Sequence, residues 1–169
     1  SHVFLQAFAD PDGNGSADAL YFPNRFLPMR ADLFNRIAWQ LHTRADVVVY
    51  AWLPVLGYEL PDPAQRGALA IPGAQDHEIF RLDFTRPEAR KLIAGIYEDL
   101  AVASYFEGLL FHDDAFLPDG ELPGLSAEPP AARTRALIDF TLELKGAAEK
   151  WRPKLKTVRN LYANTVLDP

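Results

Sequence analysis

The chain has 169 residues, 49% of them hydrophobic and 24% charged, enough for one domain with a real core. Its formal net charge of −6 argues against a nucleic-acid backbone as partner. Cysteine is absent, which excludes a disulfide framework and a thiol nucleophile, and no apolar run approaches the ~20 residues that span a bilayer.

Residues 3–9, Val-Phe-Leu-Gln-Ala-Phe-Ala, are apolar and bounded by turn residues, as for a strand buried on both faces. The chain opens directly on this run, so Ser1 and His2 read as a cut end. Asp-Pro-Asp-Gly-Asn-Gly-Ser-Ala-Asp follows (10–18) and is a loop by its turn chemistry. It has some likeness to an Asp-x-Asp-x-Asp-Gly calcium loop, but without that loop's register and closing Glu it reads as a solvated turn, and no metal is expected. Asp32 is placed to cap a helix through about Arg44, with Leu33, Phe34, Ile37, Ala38 and Leu41 at helical spacing. Residues 46–56 are rich in β-branched and aromatic side chains and read as a second strand. A Pro- and Gly-rich loop runs from Gly57 to about Arg81.

Thr85, with Pro87 and Glu88 behind it, signals a helix start, and that helix runs to about Ala103. Phe-Glu-Gly-Leu-Leu-Phe-His-Asp-Asp (106–114) is the third strand. A helix over about 131–150 presents Leu137, Phe140, Thr141, Leu144 and Ala148 on one face and is closed by Pro153. Residues 155–167 supply the fourth strand and its exit. Lys145, Lys150, Lys154 and Lys156 suit a solvated helix end.

Strands alternating with helices predict an α/β fold with a parallel sheet. Two architectures fit: an open doubly wound sheet, or part of a (β/α)8 TIM-type barrel. No Gly-x-Gly-x-x-Gly or Walker loop follows any strand, which weakens the nucleotide-binding version. A whole barrel takes ~250 residues, so this chain would supply about four consecutive βα units as a single partial-barrel domain over 1–169. In both architectures function sits at the carboxyl ends of the strands.

Those ends carry polar and aromatic residues. The first strand leads to Asp10 and Asp12, the second to Tyr50, Trp52 and Tyr58. The third leads to His112, Asp113 and Asp114, the fourth to Arg159, Asn160, Tyr162 and Asn164. Neighbours on a strand point to opposite faces, so Asp113 and Asp114 are expected to occupy different environments. A carboxyl held near like charge or apolar walls suits a general acid for glycoside cleavage, and flat rings suit sugar faces. Plainer readings stand beside these. An Asp-Asp pair can open a loop or cap a helix. His112 and Trp52 can be core residues, and Arg159 can pair with a carboxylate. His77, Glu78 and Asp83 lack a third ligand at usable spacing.

Four segments go beyond pattern: Phe-Leu-Gln-Ala-Phe-Ala-Asp-Pro-Asp-Gly-Asn-Gly, Val-Val-Val-Tyr-Ala-Trp-Leu-Pro-Val-Leu, Gly-Leu-Leu-Phe-His-Asp-Asp-Ala and the run from Thr134 to Ala163. In this order they resemble the C-terminal domain of the PgaB family, periplasmic proteins that process the biofilm polysaccharide poly-β-1,6-N-acetyl-D-glucosamine. The resemblance implies a (β/α)8 barrel with an electronegative groove that acts as an endo-glycoside hydrolase on the partly deacetylated polymer. The family's N-terminal deacetylase domain has no counterpart in this chain. By the same resemblance Asp114 is the expected general acid and Asp113 its companion, an order that can be reversed. Asp10, Arg25, Tyr50, Trp52, His112, Asp119, Arg159 and Asn160 are expected substrate contacts. No cofactor is implied. The implied setting is the periplasm, with an outer-membrane export pore as partner and a membrane anchor on the full-length protein. The acidic balance then matches a polymer bearing ammonium groups. Two other functions fit the same residues: a non-catalytic module that guides polymer to export, and an inactive half-barrel that self-associates through its open edges.

Overall fold

The computed structural model describes residues 1–72, 79–117 and 122–160. The main sheet holds β1 (His2–Gln6), β4 (Val48–Leu53), β5 (Gly108–Phe111) and β6 (Lys156–Arg159), in that spatial order and all parallel. A separate antiparallel pair, β2 (Phe8–Ala9) and β3 (Ala19–Leu20), folds the first loop back on itself. The helices are α1 (Phe34–Ala45), α2 (Pro63–Leu69), α3 (Pro87–Ala103) and α4 (Pro130–Glu149).

Each strand lies beside the next strand of the main sheet in the sequence, with no reversal of direction. Right-handed crossovers repeated in one direction put every connecting helix on the same side. A doubly wound sheet would reverse and carry helices on both sides, so the topology selects the barrel. Pairing register fixes the two faces. Val49, Ala51 and Leu53 of β4 share a face with Leu109 and Phe111 of β5, and all five are buried in the core with Ala89, Ile93, Phe140 and Leu144 of the helices. Phe4, Tyr50, Gly108 and Lys156 line up on the other face, one pleat below Gln6, Trp52, Leu110 and Val158. That inner face is partly open, with Phe4 48% exposed.

The elements differ from the sequence expectation mainly at their ends. The second strand stops at Leu53 because Pro54 offers no N–H for a further ladder bond. Asp32 does not cap α1: Leu33 holds the N-cap position without a side-chain bond. Thr85 does not cap α3 either, since its hydroxyl donates to Asp83 Oδ1 at 2.5 Å and Arg86 holds the cap position. Within the long Pro- and Gly-rich loop lies α2, where the Asp62 carboxylate accepts from the Ala64 N–H at 3.0 Å and Pro63 opens the first turn. The Phe84 ring, three residues before α3, stacks on Phe140 of α4, 5.0 Å between centroids. Among the described residues, no helix is long and apolar enough to cross a membrane.

Candidate functional site

Where β1, β4 and β5 end, three rings and a carboxylate meet. Trp52, at the end of β4, donates its indole N–H to His112 Nδ1 at 3.1 Å. Phe8, just beyond β1, sets its ring edge-on to Trp52, with centroids 6.1 Å apart, and lies 5.6 Å from the His112 ring. His112 follows β5 and stays in register, its N–H donating to the Leu53 carbonyl at 3.0 Å. Its side chain therefore continues the inner face that carries Leu110 and Trp52. Asp113 is next; its Oδ1 lies 3.1 Å from His112 Nδ1, and its side chain is 45% exposed.

Asp114 faces the other way. It is fully buried, and its carboxylate accepts three backbone N–H groups: Val55 at 3.0 Å, Leu56 at 2.6 Å and Gly57 at 2.6 Å. Both oxygens are used, so this geometry suits the ionised form. Burial pushes the carboxyl up from its ordinary range, and the three amide bonds pull against that. The same loop is held from its other side: the Tyr58 and Tyr97 hydroxyls donate to the Pro54 carbonyl at 2.6 and 2.9 Å. Burial lifts both hydroxyls well above the usual tyrosine range, so they remain donors.

Asp10 lies beyond β1, and its carboxylate closes the loop 10–15 by accepting from the Asn14 N–H at 3.1 Å and the Gly15 N–H at 2.9 Å. Gly15 turns the chain with φ +90°, a conformation that a side chain would strain. The loop brings carboxylate oxygens of Asp10, Asp12 and Asp18 within 4.8 Å of one another, the spacing at which a cation could sit. The sequence reading noted the likeness of this stretch to a calcium loop and read it as a solvated turn; the convergence also draws in Asp18, from the end of the loop. Burial, then the charges of Asp12, Glu59 and Asp10, raise the Asp18 carboxyl above its ordinary range.

The other expected contacts divide. Asn160 follows β6 on the same face as Val158 and is exposed. Tyr50 is not at the rim. It lies one pleat lower, buried against Phe4 and His2, where it fills the barrel interior. Arg25 is not there either: it is paired with Asp99 at 2.9 Å and Glu98 at 3.1 Å on the outer side of α3. Arg159 shares the helix-side face with Phe111, and its guanidinium donates to the Ala115 carbonyl. The expectation that Asp114 meets substrate is corrected in the same way, since both its oxygens are enclosed by amides. Asp119, Tyr162, Asn164, His77 and Glu78 lie outside the described residues.

A singly wound parallel sheet, helices on one side, and a ring-lined carboxylate at the strand ends are the layout of the (β/α)8 glycoside hydrolases. Comparison with known proteins gives the family. The chain belongs to the family described as hypothetical glycosyl hydrolase family 13, whose model matches residues 1–129. It is 44% identical to the PgaB (BpsB) glycoside hydrolase domain from Bordetella bronchiseptica, covering 100% of this chain and 57% of that one with a TM-score of 0.84. It is 42% identical to the poly-beta-1,6-N-acetyl-D-glucosamine N-deacetylase of Escherichia coli K12, over 200 aligned positions that take in 100% of this chain. The chain spans 30% of that relative's length. An α-L-fucosidase from Paenibacillus thiaminolyticus, 14% identical with a TM-score of 0.67, covers 94% of this chain and 27% of its own, and shares the fold.

Proposed function

We propose that this chain is the polysaccharide-cleaving part of a glycoside hydrolase acting on partly deacetylated poly-β-1,6-N-acetyl-D-glucosamine, with endo-acting cleavage. The observation that carries this reading is the solvent-facing Asp113 carboxylate beside the Phe8, Trp52 and His112 rings, in a chain 44% identical to a PgaB glycoside hydrolase domain. Asp113 is the group that meets the glycosidic oxygen, donating a proton to the leaving sugar when protonated. Asp114 serves it from behind, by fixing the 54–57 loop that continues from Trp52. Trp52, part-exposed and backed by the buried Phe8 ring, offers its indole to the C–H surface of a sugar. Asp10 and Asn160 extend the rim on either side, and the acidic balance of the chain favours a polymer whose deacetylated units carry ammonium groups. A periplasmic setting, an export pore as partner and an anchor on a longer protein go with this reading.

The test is product analysis by mass spectrometry after incubating the protein with partly deacetylated polymer. Shortened oligosaccharides are expected, with Asp113→Asn slowing their release by about 10²-fold or more. Intact polymer retained in a mobility shift, with no shortened product, would replace the hydrolase with a binding module.

A further inference from the structure

His112 Nδ1 has one in-plane position for a proton or a lone pair, and two groups compete for it. The Trp52 indole N–H stands 3.1 Å away and needs an acceptor. The Asp113 carboxylate oxygen also stands 3.1 Å away and needs a donor. An indole N–H has no acceptor capacity, and an ionised carboxylate has no donor. Nδ1 therefore cannot satisfy both partners in any one protonation state.

We propose that His112 is a proton-operated positioning residue, holding the Trp52 indole when Nδ1 is bare and the Asp113 carboxylate when Nδ1 carries a proton. With the proton on Nε2 alone, Nδ1 accepts from the indole. Its lone pair then faces the Asp113 oxygen, and that contact is repulsive, so Asp113 swings toward solvent. When Nδ1 takes up a proton from solvent, N–H donates to Asp113 and fixes it, and the indole loses its acceptor. One proton thus exchanges a pinned ring and a free carboxylate for a pinned carboxylate and a free ring.

The surroundings leave this exchange to few charges. Phe8 beyond β1 and Trp52 on β4 bring rings without formal charge. Among the described residues, the charged groups facing the imidazole are Asp113 and Asp114. The Asp114 oxygens are occupied by the amides of residues 55–57, so Asp113 is the carboxylate free to answer His112. The imidazole is itself largely enclosed, its side chain 16% exposed, which limits exchange of its partners with water.

The role of this exchange in catalysis rests on the proposed function, while the exchange itself does not. Under that reading a protonated His112 holds Asp113 as an ionised carboxylate, while a neutral imidazole leaves Asp113 free to take up the proton that a general acid must give.

Nitrogen-15 NMR of the full chain labelled at His and Trp, followed from about pH 8 to pH 5, tests the exchange without substrate. Expected is a bare Nδ1 at the upper pH, a hydrogen-bonded Trp52 indole signal, and movement of that signal with the same midpoint as the His112 nitrogens. An indole signal indifferent to the His112 titration, or a proton on Nδ1 throughout, would overturn the proposal. His112→Asn places an oxygen near Nδ1 that accepts from the indole at every pH. In this variant the Trp52 indole signal should stay hydrogen-bonded and unmoved from about pH 8 to pH 5, and an indole signal that still shifts at the wild-type midpoint would overturn the proposal. Wild-type protein that cleaves no polymer while the indole still follows His112 refutes the proposed function and leaves the exchange standing.

Discussion

Asp113 and Asp114 are neighbours in the chain, yet one has a 45% exposed side chain while the other is wholly enclosed and bonded to three backbone amides. The two carboxylates therefore answer differently to the same substitution. Asp114→Asn puts an amide group where one of its oxygens receives an N–H, leaving buried donors facing each other. Hydrogen bonds to a charged group are worth ~1.5–3 kcal/mol and a buried unmet donor costs ~1–3 kcal/mol. At ~2–4 °C per kcal/mol for a chain of this size, the thermal midpoint should fall by ~5–24 °C. Asp113→Asn should leave the midpoint within about 1 °C while cleavage falls. Equal loss of midpoint in both variants would mean that the side chains do not divide in this way.

The loop after β1 contains a carboxyl that works against the fold at neutral pH. Asp18 Oδ2 is buried without a hydrogen-bond partner, and burial with the nearby Asp12, Glu59 and Asp10 charges raises its pKa. A carboxyl whose pKa rises on folding supports the fold while protonated. That support is complete below its ordinary range near pH ~3.8 and is lost as pH climbs through the folded value. Asp18→Asn removes the charge and offers an N–H to the surrounding carboxylates. Its midpoint should exceed wild type at pH 7, and the difference should shrink as the pH drops below about 4. Calorimetric scans at both pH values decide this; a variant less stable than wild type at pH 7 contradicts it.

Inside the barrel, Gly108 exists for Tyr50. A Cβ at residue 108 would lie 2.2 Å from Tyr50 Cε1 and 3.0 Å from the Lys156 carbonyl oxygen. Overpacking of this kind costs ~1–3 kcal/mol, so Gly108→Ala should lower the midpoint by ~2–12 °C. Pairing it with Tyr50→Leu should recover part of the loss, since the two residues touch and their effects do not add. Full additivity in that double variant would show that the ring does not fill this space.

The elements of this chain were legible because they carry strong periodic patterns. The strands around Val49, Leu109 and Thr157, the helices over Phe34, Ile93 and Phe140, and their βα order all follow from apolar spacing. The absence of phosphate-binding loops only weakened the doubly wound alternative, and the strand order selects the barrel. Side-chain direction was less legible. Tyr50 and Trp52 share a face, but only register shows that Trp52 reaches the rim while Tyr50 fills the interior. Arg159 and Asn160 are adjacent, and alternation sends them to opposite faces, which the sequence reading treated together. Arg25 was placed by resemblance, and its ion pairs with Glu98 and Asp99 depend on residues more than seventy positions away, beyond any local pattern. The clamp of Asp114 on residues 55–57 is long-range in the same sense.

Charge contributes to binding under the proposed function. The chain carries a net charge of −6, and Asp113 and Asp10 stand at the strand ends with Trp52 between them in the sheet order. Deacetylated units bring ammonium groups, whose attraction to exposed carboxylates is screened within ~10 Å at 0.1 M salt and ~3 Å at 1 M. Affinity for partly deacetylated oligomers should therefore fall as salt rises, while affinity for fully acetylated oligomers of equal length should hold steady. Asp113→Asn removes one of these charges, so it should flatten the salt slope for the deacetylated oligomers and leave the fully acetylated ones unchanged. Titration calorimetry at two salt concentrations separates these effects. A salt slope shared by both oligomers, or one unchanged in the Asp113 variant, would show that these carboxylates do not carry the attraction.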